Sequence, residues 1–85
     1  MDTGKPYIEN GEVRTFLQEV DEFELVWHRD REDRIVTTLS ETDWKFQFEN
    51  ELPIKIEGEI YIPKNKFHRL IKGTGDIKLR VKKII

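Results

Sequence analysis

Trp44-Lys45-Phe46-Gln47-Phe48-Glu49, followed by Leu52-Pro53-Ile54-Lys55-Ile56 and Ile60-Tyr61-Ile62, alternates apolar and polar residues with a period of two. Successive side chains of a strand point to opposite faces, so this alternation describes half-buried strands and not helices. Asn50-Glu51 and Glu57-Gly58 punctuate the run as turns. Pro53 has no N–H to give to a ladder, so it marks an edge position or a strand start.

The same reading extends in both directions. Ile35–Leu39 is β-branched and reads as a strand, closed by a turn at Ser40–Asp43. After the Pro63–Lys66 turn, Phe67–Ile71 is a strand, Lys72–Asp76 a Gly-rich hairpin turn, and Ile77–Ile85 the last strand. Upstream, Phe23, Leu25 and Trp27 alternate with Glu24, Val26 and His28, which predicts a strand there. Val13, Phe16, Leu17 and Val20 fit either a helical period or a bulged strand. Residues 1–12 are polar, end near an Asn10-Gly11 turn signal, and read as a leader; residues 13–85 read as one domain. About seven short strands with turn signals every ~8–12 residues predict an all-β antiparallel sandwich or barrel. Trp27, Trp44, Phe46 and Phe48 read as core in such a barrel.

Composition narrows the chemistry. The chain has 85 residues, no cysteine and two histidines, His28 and His68. Disulfides, thiolate metal sites and thiol catalysis are therefore excluded, and any metal must be held by imidazole and carboxylate. No apolar run is long enough for a membrane helix, and the first residues carry no apolar signal-peptide core, so a cytoplasmic protein is expected. The formal net charge of −2 hides a split. Residues 1–63 hold sixteen acids against seven bases, whereas residues 64–85 hold eight bases against Asp76 alone. Because Lys78, Arg80 and Lys82 alternate with Ile77, Leu79 and Val81, the basic end reads as a strand with a charged outer face. Such a strand is expected to pair with acidic strands of the same sheet. Nucleic-acid binding by this segment is not expected, because its bases and aromatics do not interleave into a stacking platform. The edges of so small a sheet favour a homodimer.

One constellation carries chemistry. In His28-Arg29-Asp30, residues two apart on a strand share a face and lie about 6.6 Å apart along it. Glu32 and Asp33 follow with further carboxylates, and a barrel that folds over brings a distant strand carrying His68 beside the first. Two imidazoles and a carboxylate suit Fe(II), Mn, Ni, Co or Zn. The competing reading is that Arg29–Arg34 is a solvated charge cluster.

Residues 23–81 resemble a cupin, a small jelly-roll, or double-stranded β-helix, barrel with two loose motifs. Trp27–Val36 is similar to the middle of the first motif, with Asp30 standing where a second histidine is usual. Gly58–Arg69 is similar to the second, and Pro63-Lys64-Asn65-Lys66-Phe67-His68 keeps its Pro-to-His spacing. Asn65 replaces a glycine there, and Asn tolerates positive φ well. The resemblance implies a metal or small ligand in the barrel mouth, with His28, Asp30, Glu32, Asp33 and His68 as candidate metal ligands. His-X-Asp with a distant His also resembles the iron triad of 2-oxoglutarate oxygenases, which implies a co-substrate role for Arg80. A non-catalytic, metal-free module binding a protein or small ligand is the competing class. The Lys72–Gly75 loop lacks the features of a phosphate loop.

Overall fold

Eight strands form among the described residues, which are 6–22 and 25–84 of the computed structural model. They are β1 (Ile8–Asn10), β2 (Val13–Phe16), β3 (Asp33–Thr38), β4 (Lys45–Phe48), β5 (Ile54–Lys55), β6 (Glu59–Ile62), β7 (His68–Ile71) and β8 (Ile77–Ile84). A five-stranded sheet has the order β1-β2-β8-β3-β6, and a three-stranded sheet the order β5-β4-β7. Every named pairing is antiparallel. No helix among the described residues is long and apolar enough to cross a membrane.

The alternation decides what lies between the sheets. Ile60 and Ile62 of β6 are buried while Tyr61 between them is exposed; Ile77 and Leu79 are buried while Lys78 and Arg80 are exposed. These residues join Phe16, Val36, Trp44, Phe46 and Ile56 in one core. Trp44 has no exposed surface, and its indole N–H donates to the Gly75 carbonyl at 3.1 Å, which satisfies the one polar atom that this side chain buries. Each such aliphatic or aromatic side chain contributes roughly 1.5–3 kcal/mol on burial.

Several expectations are corrected by the tertiary structure. β8 is central, paired to both β2 and β3, but no acid lies directly across from its bases: Thr15 is opposite Lys78, Val13 and Thr37 opposite Arg80, Ile35 opposite Lys82, and Arg34 opposite Lys83. Its outward bases are solvated and not held by acidic partners across the ladder. The Val13–Val20 segment resolves into β2 and a turn closed by the Val20 N–H on the Leu17 carbonyl (3.0 Å), which buries Phe16 and Val20 together. That turn accounts for the apparent helical spacing. Ile8–Asn10, within the leader, form the edge strand of the larger sheet. Gly11 begins their two-residue turn at φ 62°, a conformation glycine adopts without steric cost. Leu52, next to Pro53, is 84% exposed and lies outside β5.

The strand expected to begin at Phe23 is not a ladder over its described part. Phe23 and Glu24 lie outside the described residues, as do Met1–Lys5 of the leader and Ile85 at the end of the last strand. Leu25–Trp27 belong to no strand, and only His28 is bridged, to His68. Without continuous pairing the period-two facing is lost. Leu25 packs against the core, whereas Trp27 faces out with the Arg69 guanidinium 4.6 Å above its ring.

Candidate metal centre

The bridge between His28 and His68 builds the site. The His28 N–H donates to the His68 carbonyl at 3.1 Å, and the His68 N–H returns the bond at 2.9 Å. Residues directly opposed across antiparallel strands project to the same side. The two imidazoles accordingly meet edge to face with centroids 4.3 Å apart. His68 is 3% exposed, stacked on Phe46, and its neighbour His28 is open to solvent.

Both rings are oriented in the same way. His28 Nδ1 lies 3.1 Å from the Val26 carbonyl, and His68 Nδ1 lies 2.8 Å from the Lys66 carbonyl. A carbonyl only accepts, so each Nδ1 carries the hydrogen, and a ring in its neutral form then presents its lone pair at Nε2. A backbone carbonyl behind an imidazole in this manner is the usual support of a metal-binding histidine. Burial pushes the His68 pKa down, aided by the adjacent His28 and opposed by the Lys66 carbonyl and Asp30. The neutral, ligating form is therefore favoured.

Asp30 completes the group. Its Oδ1 lies 3.2 Å from Arg34 Nη1. Its Oδ2 is buried, has no hydrogen-bond partner, and sits 3.4 Å from His68 Nε2. With His68 neutral, that contact is not an ion pair: it sets two acceptor atoms against each other. A tetrahedral ion bound at about 2.1 Å would hold two ligand atoms about 3.4 Å apart. One ligand atom from each of His28, Asp30 and His68 lies within 4.8 Å of the others.

The other two candidate carboxylates are occupied elsewhere. Glu32 Oε1 accepts from Arg34 Nε at 3.0 Å and Nη2 at 2.6 Å, and these two bonds to one oxygen hold its carboxyl below the usual range. Asp33 Oδ1 accepts from the Lys64 N–H at 2.8 Å, which with the Tyr61 hydroxyl lowers its pKa. Neither belongs to the three-residue group. Both instead shape the loop that carries Asp30. Asp33 grips the Pro63–Lys66 turn, and Asn65 in that turn donates its N–H to the Asp30 carbonyl at 2.7 Å. Asn65 has φ 65°, in the left-handed region that Asn adopts more readily than most residues.

Two arginines outside the candidate ligand set also face the site. Arg14 and Arg34 line the barrel interior beside the histidines and Asp30. The signal was present, since each is two residues from a core residue, Phe16 or Val36, and so shares its inward face. Arg80 goes the other way. It is exposed on the outer face of β8, opposite Val13 and Thr37, so it cannot serve the co-substrate role that the oxygenase resemblance implies. A cavity of about 330 Å³ adjoins the group, with Tyr7, Phe16, Leu25 and Leu70 among its walls.

No family model matches the chain, and no curated protein matches it. Two solved structures share its architecture. Protein NMB1881 from Neisseria meningitidis superposes with a TM-score of 0.53 over 93% of this chain and 80% of its own, at 19% identity. A cupin-2 domain containing protein from Shewanella frigidimarina gives 0.52 over 91% and 76%, at 21% identity. The fold is cupin-like. In this cupin-like barrel the His/Asp/His group sits at the junction of the segments Trp27–Val36 and Gly58–Arg69. The first supplies His28 and Asp30, the second supplies His68, and Asn65 fastens one to the other.

Proposed function

We propose that this cupin-like barrel holds one divalent transition metal through His28 Nε2, His68 Nε2 and Asp30 Oδ2, and receives a small ligand in the adjoining cavity. The observation that carries the reading is the buried, unpartnered Asp30 Oδ2 facing the lone pair of His68 Nε2 at 3.4 Å. A buried acceptor left without a donor costs about 1–3 kcal/mol, and a cation at this point removes that cost. Two imidazoles and one carboxylate are a donor set for Fe, Mn, Ni, Co or Zn. Three protein ligands leave coordination positions for other groups, and the bound ion would supply a Lewis acid beside the cavity. Of the chain's own residues, Arg34 holds Asp30 in place, and the Val26 and Lys66 carbonyls aim the rings.

The test is metal analysis of untagged protein. About one equivalent of transition metal is expected, with loss in His28→Ala, Asp30→Ala and His68→Ala variants that remain folded. Unchanged metal content in all three, or none in the wild type after loading, overturns the reading. The metal-free ligand-binding module would then be the better description.

A further inference from the structure

Arg14 is an unusual residue to place inside a barrel. Its register partner on β8 is Leu79, and it shares a face with Phe16, so its side chain runs along the core and is only 16% exposed. Its guanidinium rests over the Tyr7 ring at 4.6 Å, and Nε lies 3.4 Å from Glu9 Oε2. That stacking holds the plane of a five-donor fork, of which the Glu9 contact occupies one edge. Arg34, the other interior guanidinium, is committed by contrast to Asp30 and by two bonds to Glu32.

We infer that the cavity binds a small organic carboxylate, its anionic group received by Arg14 and its apolar body packed on Tyr7, Phe16, Leu25 and Leu70. The inference deepens the reading above, since the cavity is the one that adjoins the proposed metal. Three arguments converge on this ligand class. The cations of the lining are Arg14 and Arg34; Asp30 and Glu32 offset Arg34, whereas among the described residues Arg14 meets one carboxylate, Glu9, through Nε at 3.4 Å, so its Nη edge is the part of the lining suited to an incoming anion. The remaining walls are largely apolar, which disfavours a free inorganic anion that would lose its hydration without compensation. The volume of about 330 Å³ lies in the range of small-molecule sites and leaves room for a body beyond the carboxylate. A guanidinium fork matches a planar carboxylate bidentately, which gives orientation as well as charge.

The experiment is calorimetric titration with phenylacetate, its uncharged isostere phenylacetamide, and inorganic phosphate, on wild type, Arg14→Gln and Arg14→Lys. Phenylacetate should bind wild type at least about tenfold more tightly than phenylacetamide or phosphate. Arg14→Gln should abolish the acid-over-amide preference, and Arg14→Lys, which keeps the charge without the fork, should restore part of it. Metal content and Trp44 fluorescence are followed in each variant, so a folding defect or loss of the ion is seen directly. Carboxylate binding that depends on Arg14 in protein unable to hold metal would sustain this inference while sinking the metal reading. Equal binding of acid and amide, stronger binding of phosphate, no binding of any probe, or a preference that survives in folded Arg14→Gln would each overturn it.

Discussion

His28 and His68, far apart in sequence, exchange both backbone hydrogen bonds and bring their imidazole centroids to 4.3 Å. The bridge makes the positions of the rings a property of the backbone pairing. Metal should therefore stabilise the fold by linking the two motifs. An ion at about a hundred times its Kd adds about 2.7 kcal/mol to unfolding. Thermal melts with and without cobalt or zinc should show a raised Tm for wild type and no rise for His68→Ala; an equal rise in both would mean that the ion binds elsewhere.

Asn65 offers a conformational test of the second motif. Its φ of 65° suits Asn or Gly, while an alanine there meets the left-handed penalty of about 1–2 kcal/mol. Asn65→Gly should keep wild-type stability to within about 0.5 kcal/mol, and Asn65→Ala should lose the larger amount in urea unfolding. Asn65→Ala keeps the N–H that anchors the Asp30 carbonyl, but a backbone shift away from positive φ would turn it off that carbonyl, so metal retention should weaken as well.

Gly73 is required for a different reason, close approach. A methyl group built on it would press on the Asp43 carboxylate and come within 2.7 Å of the Trp44 backbone nitrogen. Gly73→Ala should cost about 1–3 kcal/mol by overpacking. Gly58→Ala is the informative contrast: no atom lies near its added methyl, and only its φ of 63° opposes the change.

Trp44→Ala removes the largest fully buried side chain and leaves the Gly75 carbonyl without its indole donor. A loss of about 3–5 kcal/mol is expected. Domains are stable by only about 5–15 kcal/mol in all, so the chemical-denaturation midpoint should fall steeply. A shift within error of wild type would contradict the burial of this residue.

Acid should destabilise the fold through Asp43. The Thr74 N–H and hydroxyl each donate to its carboxylate at 2.8 Å, and these bonds hold its pKa below the ordinary 3.8. The folded state thus prefers the ionised form. Its contribution is complete above the unfolded value and is lost as pH falls through the lower folded one. Melting curves from about pH 7 to pH 2 should show a shallower acid limb in Asp43→Asn than in wild type. Identical limbs would remove Asp43 from the explanation.

The local pattern was decisive wherever a residue's neighbours along the chain settle its state. Alternation in Trp44–Phe48, Ile60–Ile62 and Ile77–Val81 determined the strands and their buried faces, because side-chain direction in a strand depends only on parity. The absence of cysteine determined that any metal must be held by imidazole and carboxylate, and the demand for positive φ made Asn65 legible beforehand. Parity also held the clue to Arg14 and Arg34, which share faces with core residues. Which strands become neighbours is set by long-range pairing, and no period along the chain encodes it. Only the tertiary structure therefore placed His28 beside His68, sent Arg80 outward while Arg14 turned in, and chose among three nearby carboxylates. Asp30 Oδ2 faces the imidazoles while Asp30 Oδ1 and Glu32 share Arg34 and the Lys64 N–H engages Asp33, the last a contact that exists only once the loop and the Pro63–Lys66 turn have met.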